Sequence, residues 1–273
     1  MLPYGILGSN SQDVFLLNKR TGKVLWRYPL YKKKRAKPRQ EVGMLGGLSW
    51  AIGDRKEVDL CFLERVLSIE VGGNTPKWER VQEEPIGSKP CAISGNKLLV
   101  VSDSSTRSGD AIQVIDTGTG LTIWEKELPL SDDVDSSMPV PTEGQRGTNS
   151  NSVREIFVER FVLSGDKAVF LLMTDSKEVR EGKRNVACLD MNNGSVQWIH
   201  TWQEGFEFAP LRMVGSGDSV YLHNRSDDGF YRINIENGNV TEICHEAGKV
   251  TTLFPTRQGL IVTNNKGEIF CYR

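Results

Sequence analysis

The sequence lacks the features that mark disulfide-rich domains, zinc modules, membrane proteins and nucleic-acid binders. Five cysteines are scattered over 273 residues without a CxxC pair, which excludes a disulfide framework and a structural zinc site. No apolar run approaches the ~18 residues of a membrane span. The formal net charge is −1, so no overall field attracts nucleic acid. The start of the chain has no secretory-signal pattern, which predicts a cytoplasmic protein, or a periplasmic or secreted one if the N-terminus is truncated.

The motifs of common enzymes are also missing. There is no HExxH, GxSxG or GxxxxGK[ST] pattern. Three histidines, His200, His223 and His245, are interpreted as structural. The stretch "NRSDDG" at 224–229 begins like a calcium loop, but Ile235 stands where that loop requires glutamate, so we interpret it as a turn. We therefore predict no catalytic residue, no metal site and no cofactor.

A strand–turn–strand pattern recurs five times along the chain. The first copy contains "LLNKRTGKVLW", an apolar strand, a polar turn with glycine and a second strand closing on tryptophan. Three columns recur. The first column holds Asn, Asp or Glu, eight residues before the last position of each copy. The second holds Gly22, Gly120, Gly194 and Gly238, with Asn74 in the second copy. The third holds Trp26, Trp78, Trp124 and Trp198, with Glu242 in the fifth copy. Glycine and asparagine accept positive φ, so the second column predicts a tight turn.

The spacing of the tryptophan column predicts the architecture. Its members at 26, 78, 124, 198 and 242 are separated by 52, 46, 74 and 44 residues, and most spacings suit a four-stranded propeller blade of ~40–50 residues. The longest spacing contains a polar insertion at 130–152, interpreted as a flexible loop. Strands with consecutive apolar residues, such as "VFLL", require cover on both faces, as stacked sheets provide.

These copies resemble the PQQ-like, or tryptophan-docking, β-propeller repeat. The resemblance implies an all-β fold of four-stranded antiparallel blades, about six in number, or seven or eight if the chain is a fragment. We expect a single domain over 1–273 in which the first unit lacks its innermost strand and the last unit its fourth. The four tryptophans are expected to be largely buried on the outermost strands, where each docks its blade against the next.

The same resemblance implies a possible enzyme, a quinoprotein dehydrogenase. That activity would require adjacent cysteines beneath the quinone, a calcium site from Glu, Asn and Asp, and a catalytic Asp. The chain has no adjacent cysteines. We therefore predict a non-catalytic scaffold for protein–protein interaction, monomeric within a complex. A small-ligand sensor or quinone-dependent enzyme using the central channel remains the alternative.

The sharpest charge feature is a basic loop at 31–40, "YKKKRAKPRQ". Its positive charge suits contact with an acidic protein, a lipid headgroup or nucleic acid. The interleaved aromatic residues of a base-stacking platform are missing. We expect a protein partner rather than nucleic acid. The candidate partner-binding residues are Lys32, Lys33, Lys34, Arg35, Lys37 and Arg39.

Overall fold

The computed structural model of the chain consists of β-strands joined by turns. It describes residues 5–9, 13–30, 49–52, 57–62, 65–82, 86, 91–102, 110–128, 155–175, 183–202, 212–223, 229–244, 250–256 and 259–272. Every regular element within these ranges is a strand, which confirms the predicted all-β class. The described part of the chain accordingly contains no helix able to cross a membrane.

Twenty-two strands form six sheets within the described ranges, each built from strands consecutive in sequence. The first sheet contains β1 (Gly5–Ser9), β2 (Asp13–Asn18) and β3 (Val24–Pro29). The second contains β4 (Ser49–Ile52), β5 (Glu57–Phe62), β6 (Arg65–Glu70) and β7 (Trp78–Val81). The third contains β8 (Cys91–Ser94), β9 (Lys97–Ser102), β10 (Ala111–Asp116) and β11 (Thr122–Glu127).

The remaining sheets follow the same order along the chain. The fourth contains β12 (Glu155–Ser164), β13 (Lys167–Asp175), β14 (Lys183–Asp190) and β15 (Val196–Trp202). The fifth contains β16 (Arg212–Ser216), β17 (Ser219–His223), β18 (Phe230–Asn234) and β19 (Val240–Cys244). The sixth contains β20 (Val250–Thr256), β21 (Gly259–Asn264) and β22 (Ile269–Tyr272).

The sheets are antiparallel meanders, which agrees with the prediction of four-stranded antiparallel units. Four sheets have four strands, and the first and sixth have three. The repeated turns connect the last two strands of the first five sheets, so that each tryptophan of the repeat lies on an edge strand. In the first sheet, the pairing of β2 with β3 shifts register between Leu16 and Leu17, next to the repeat turn.

The central strands of the second to fifth sheets are largely buried on both faces, which is the physical reason for their consecutive apolar residues, whereas burial alternates along β1 and β2 of the first sheet. In the second sheet, Val58 and Leu60 pack with residues of the first sheet such as Val14. On its opposite face, Cys61 and Val66 pack with residues of the third sheet. The fifth sheet is covered in the same way by the fourth and the sixth. Sheets stacked at both faces explain why the cores contain few polar side chains.

Contacts divide the chain into two compact units. One unit comprises Met1–Ser105 and Gln113–Ile123, and the other comprises Thr106–Ile112 and Trp124–Arg273. The first unit is held by the clusters around Leu60 and Leu98. The second is held by the clusters around Leu222 and Phe230. The single domain expected from the sequence stays a prediction.

Candidate functional site

The repeated turns are built around an acidic or amide side chain that caps its own backbone. In the third sheet, Asp116 Oδ1 accepts hydrogen bonds from the backbone N–H of Gly118 at 3.0 Å and of Thr119 at 2.8 Å. The N–H of Gly120 then donates to the carbonyl of Asp116 at 2.8 Å. Side chains of this length bond their own backbone two and three residues on, which fixes the turn locally. The same roles belong to Asn18, Asp190 and Asn234 in their sheets.

Glycine follows the cap because the turn there requires positive φ and a flat surface. Gly120 has φ of 73°. A Cβ atom added at Gly120 would lie 2.6 Å from Cδ2 of Trp78, an atom of the indole ring on the preceding sheet. The indole therefore packs directly on the glycine backbone. Gly194 and Gly238 bear the same relationship to Trp124 and Trp198, with closest approaches of 2.9 and 2.7 Å.

Each indole also forms a hydrogen bond with the turn on which it packs. Trp78 Nε1 donates to the carbonyl oxygen of Thr117, three residues before Gly120, at 2.8 Å. The other pairs are Trp26 with Gly73 at 2.8 Å, Trp124 with Met191 at 3.0 Å and Trp198 with Ile235 at 2.8 Å. A partly buried indole N–H needs such an acceptor, which here also joins one sheet to the next. Tryptophan docking thus connects the first sheet to the second and the second to the third, and it also connects the fourth to the fifth; Trp124 docks on the turn of the fourth sheet.

The tryptophans are less uniformly buried than the sequence suggested. Trp26 is 8% exposed and packs beside Tyr28, whereas Trp78, Trp124 and Trp198 are partly buried. All four lie on the edge strands of their sheets, a position that leaves a ring partly open, and the Tyr28 ring stacked beside Trp26 adds cover there. One face of the ring contacts the next turn, and solvent still reaches part of the side chain.

The turn of the second sheet departs from the others. Its first column holds Glu70, and the turn closes with a bond from Gly73 N–H to the Glu70 carbonyl, one residue shorter than elsewhere. Gly72 takes the positive φ of 99°. As a result Trp26 reaches the carbonyl of Gly73 rather than that of a residue directly after the first column.

Two carboxyl groups of the first unit have pKa values shifted in opposite directions. Burial raises the pKa of Asp59 to about 6, and the hydroxyl of Ser68 opposite it on β6 offsets this only in part. Oδ1 of Asp59 has no hydrogen-bond partner among the described residues. Burial also acts to raise the pKa of Asp116, but hydrogen bonds from Thr119, Asn96 and Gly118 outweigh it and lower that pKa overall. The ionised carboxylate of Asp59 therefore destabilises the fold, whereas that of Asp116 stabilises its turn.

The remaining reactive side chains are dispersed. Cys61, Cys91 and Cys188 are buried and Cys271 is exposed, all as free thiols. His223 is buried against Phe230, with ring centroids 4.8 Å apart. Burial lowers the pKa of His200. The part of the chain that the structure describes contains no group of three His, Cys, Asp or Glu placed to hold a metal ion.

Several predicted sites lie outside the described residues. These are the basic loop at 31–40, the insertion at 130–152, His245 and residues 224–228 of the loop resembling a calcium site. The six basic residues of the first loop, Lys32, Lys33, Lys34, Arg35, Lys37 and Arg39, therefore stay predictions. The docking columns, by contrast, are brought together, because the tryptophan of one sheet meets the turn of the next.

Comparison with known proteins supports the repeat. Residues 4–126 match the PQQ_2 family model, described as outer membrane protein assembly factor BamB. No curated protein matches the sequence. The family match covers the first three docking tryptophans, Trp26, Trp78 and Trp124, and the turn that receives Trp78. The predicted resemblance to PQQ-like propeller repeats is therefore confirmed.

Solved structures extend the similarity to nearly the whole chain at the level of the fold. BamB from Moraxella catarrhalis is 15% identical, with a TM-score of 0.54 and coverage of 98% of this chain and 69% of that one. The Neurospora crassa Pan2 WD40 domain is 14% identical, with a TM-score of 0.56 and coverage of 98% and 71%. Quinohemoprotein alcohol dehydrogenase from Comamonas testosteroni is 12% identical, with a TM-score of 0.53 and coverage of 97% and 44%. The predicted β-propeller fold is thus confirmed, and these similar structures include an enzyme as well as other kinds of protein.

Proposed function

We propose that this chain is a non-catalytic β-propeller scaffold that binds another protein. The observation that supports it is the docking of four indoles between consecutive sheets. Such docking holds the sheets of each unit at fixed spacing, and a rigid frame presents its turns and loops without a large ordering cost. The family match to a protein described as an assembly factor agrees with this role.

The contact surface that we propose consists of loops rather than of the inner strands. The central strands of the second to fifth sheets are largely covered on both faces, whereas apolar side chains beside the turns and at the edges are exposed, including Leu121 at 69%, just before β11, and Val81 at 72%, at the end of β7. The loops at 31–40 and 130–152 are the predicted contacts from the sequence. Loops displayed by a stable framework are where binding residues are concentrated in proteins generally.

The experiment that tests this function is affinity capture from native extract followed by reconstitution. The intact chain serves as bait, and a retained protein is then purified separately and mixed with the chain in a light-scattering experiment. A complex of defined stoichiometry is the expected result. A bait with Lys32–Arg39 neutralised, run in parallel, reports whether the basic loop carries the contact. Failure of every captured protein to re-form a complex would contradict the scaffold role.

A quinone-dependent enzyme is the second candidate, because the fold is shared with quinohemoprotein alcohol dehydrogenase. The residues that the structure describes do not supply the cofactor site that the resemblance implies. No two cysteines are adjacent in the sequence, and the described residues assemble no cluster of metal-ligating carboxylates. Thermal unfolding with pyrroloquinoline quinone and calcium separates the two candidates. A scaffold predicts no shift of the midpoint, whereas a saturable increase would favour the enzyme.

A further inference from the structure

We propose that the repeat turn of the first sheet, residues 18–24, is a docking surface for an acidic, tryptophan-bearing β-strand of a partner protein. We name these residues the first turn. The proposal rests on the proposed function, since it assigns one binding surface of the scaffold and the chemistry of its ligand. Its ligand chemistry is taken from the three equivalent turns of the same chain that are already occupied by an indole.

The backbone of the first turn matches that of the occupied turns. Asn18 Oδ1 accepts from the N–H of Arg20 at 2.9 Å and of Thr21 at 3.0 Å. The N–H of Gly22 donates to the carbonyl of Asn18 at 2.9 Å. Gly22 has φ of 67°, close to the 73° of Gly120. The first turn is therefore folded into the shape that receives an indole elsewhere in the chain.

The surface of the first turn is open, whereas the turns of the third, fourth and fifth sheets are covered by an indole; the turn of the sixth sheet is also open at Gly267. A Cβ atom added at Gly22 would meet no described atom within 4 Å, its chain neighbours aside, whereas one at Gly120 would collide with an indole ring. Gly22 is exposed, while Gly120 and Gly194 are buried. Two residues beyond the glycine, Val24 is 51% exposed, and its counterpart Val240 packs in one cluster with Trp198.

The occupied turns define which ligand fits. In each of them the indole packs on the glycine and donates its N–H to the carbonyl three residues earlier, as Trp78 does to Thr117. The corresponding carbonyl of the first turn belongs to Lys19. A flat glycine surface, a carbonyl acceptor and an exposed valine together suit a tryptophan side chain presented from an extended strand.

Charge distinguishes the ligand of the first turn from the strands already docked. Lys19, Arg20 and Lys23 are exposed here. The residues in the place of Lys19 in the occupied turns are uncharged and buried, namely Thr117, Met191 and Ile235. A residue two positions after the docked tryptophan can reach the turn, because Arg80 Nη1 donates to Gly120 O at 3.1 Å and Thr122 Oγ1 at 2.6 Å. The complementary strand for a basic turn carries Glu or Asp at such positions.

The test uses the full chain and fluorescein-labelled peptides followed by polarisation. The probe is Thr-Ile-Trp-Glu-Glu-Glu, which copies the edge strand at 122–127 with its lysine replaced by glutamate. Two control peptides carry alanine for tryptophan, or three lysines for the glutamates. We expect the probe to bind, and each control peptide to bind at least about tenfold more weakly, as for the loss of a central aromatic or of charge complementarity.

Matched variants locate the binding. Gly22→Ala places a methyl group where the indole must lie, and we expect it to weaken probe binding at least about tenfold. Gly217→Ala is the control, because Gly217 also has positive φ and open surroundings but lies in a different type of hairpin. A triple variant with Lys19→Glu, Arg20→Glu and Lys23→Glu should prefer the lysine peptide over the probe.

The outcomes separate this proposal from the scaffold function. Probe binding that Gly22→Ala reduces and Gly217→Ala preserves supports the docking surface. No saturable binding to the intact chain, or equal binding by Gly22→Ala, overturns it. If a reconstituted protein complex forms with the intact chain and with Gly22→Ala equally well, the scaffold function stands while this surface is refuted. If the probe binds as expected but no captured protein re-forms a complex, the docking surface is supported and the scaffold function is refuted.

Discussion

The indole Nε1 of Trp78 donates a hydrogen bond to the carbonyl oxygen of Thr117 at 2.8 Å, while its ring covers Gly120. The two bonded residues are 39 positions apart in the chain and belong to different sheets. One side chain thus satisfies its polar N–H, buries apolar area and fixes the spacing between two sheets.

Replacing Trp78 should reveal the separate contributions of its ring and its N–H. We expect Trp78→Ala to lower the free energy of unfolding by about 3 kcal/mol, since it empties a contact that an aromatic ring fills. Trp78→Phe keeps a ring on Gly120 but loses the hydrogen bond, and should cost about 1 kcal/mol. Urea unfolding followed by circular dichroism measures both. Equal stability of Trp78→Ala and the unmodified chain would show that the docking contact contributes nothing.

The glycine beneath the indole should tolerate substitution worse than a glycine with equal backbone strain elsewhere. Gly120→Ala introduces a methyl group that overlaps Trp78, in addition to an unfavourable positive φ. Gly217→Ala introduces the φ strain alone, expected at about 1 kcal/mol. We expect Gly120→Ala to be destabilised by a further ~1–3 kcal/mol in the same unfolding assay. Similar losses in the two variants would mean that ring packing on Gly120 is unimportant.

Asp59 should make the fold less stable as the pH rises. Its folded-state pKa of about 6 exceeds the unfolded value, so stability is greatest below pH 4 for this group and is lost as the pH rises through 6. Asp59→Asn removes this cost, with an expected gain of about 2 kcal/mol at pH 7.5 and almost none at pH 4.

Asp116→Asn is the control for that measurement. The pKa of Asp116 is lowered, so its contribution is present above the ordinary carboxyl pKa and is lost only as the pH falls through the lowered value. Asparagine retains the Oδ1 acceptor that occurs naturally at Asn18 and Asn234, and we expect no gain at pH 7.5. A pH-independent effect of Asp59→Asn would contradict the assignment of a buried, destabilising carboxylate.

The thiols should differ in reactivity according to burial. Burial raises the pKa of Cys188 to about 11 and that of Cys61 well above its ordinary value, whereas Cys271 is exposed. Thiolate is the reactive form, so we expect iodoacetamide at pH 8 to label Cys271 in the native protein and Cys61, Cys91 and Cys188 only after unfolding. Peptide mass spectrometry assigns the labels. Labelling of Cys188 at the rate of Cys271 in native protein would argue against the burial described here.

The sequence predicted the sheets and the docking columns because both depend on local chemistry repeated in register. Asn18, Asp116, Asp190 and Asn234 recur eight positions before their column ends, since a capped turn of fixed length must follow each inner strand. The consecutive apolar residues of β2, "VFLL", predicted cover on both faces, but burial alternates along that strand, whereas the apolar strand β10 is buried on both faces.

Other features depend on contacts between distant segments and could not be derived from the repeat. The alignment placed Asn74 in the glycine column, but the second turn closes through Gly73, which changes the acceptor for Trp26. The aligned glycines do not reveal that Gly22 is exposed while Gly120 is buried. The desolvation of Asp59 likewise arises from packing of β5 against other strands.

A double-mutant cycle between Trp78 and Gly120 tests the central claim most directly, because that claim is the docking of an indole on a glycine turn. Gly120→Ala is introduced into the unmodified chain and into Trp78→Ala, and the free energy of unfolding is measured for all four proteins. Docking predicts that the cost of Gly120→Ala falls to the ~1 kcal/mol of backbone strain once the indole is removed. Strictly additive costs would contradict the account, because they would show that the ring and the turn do not interact.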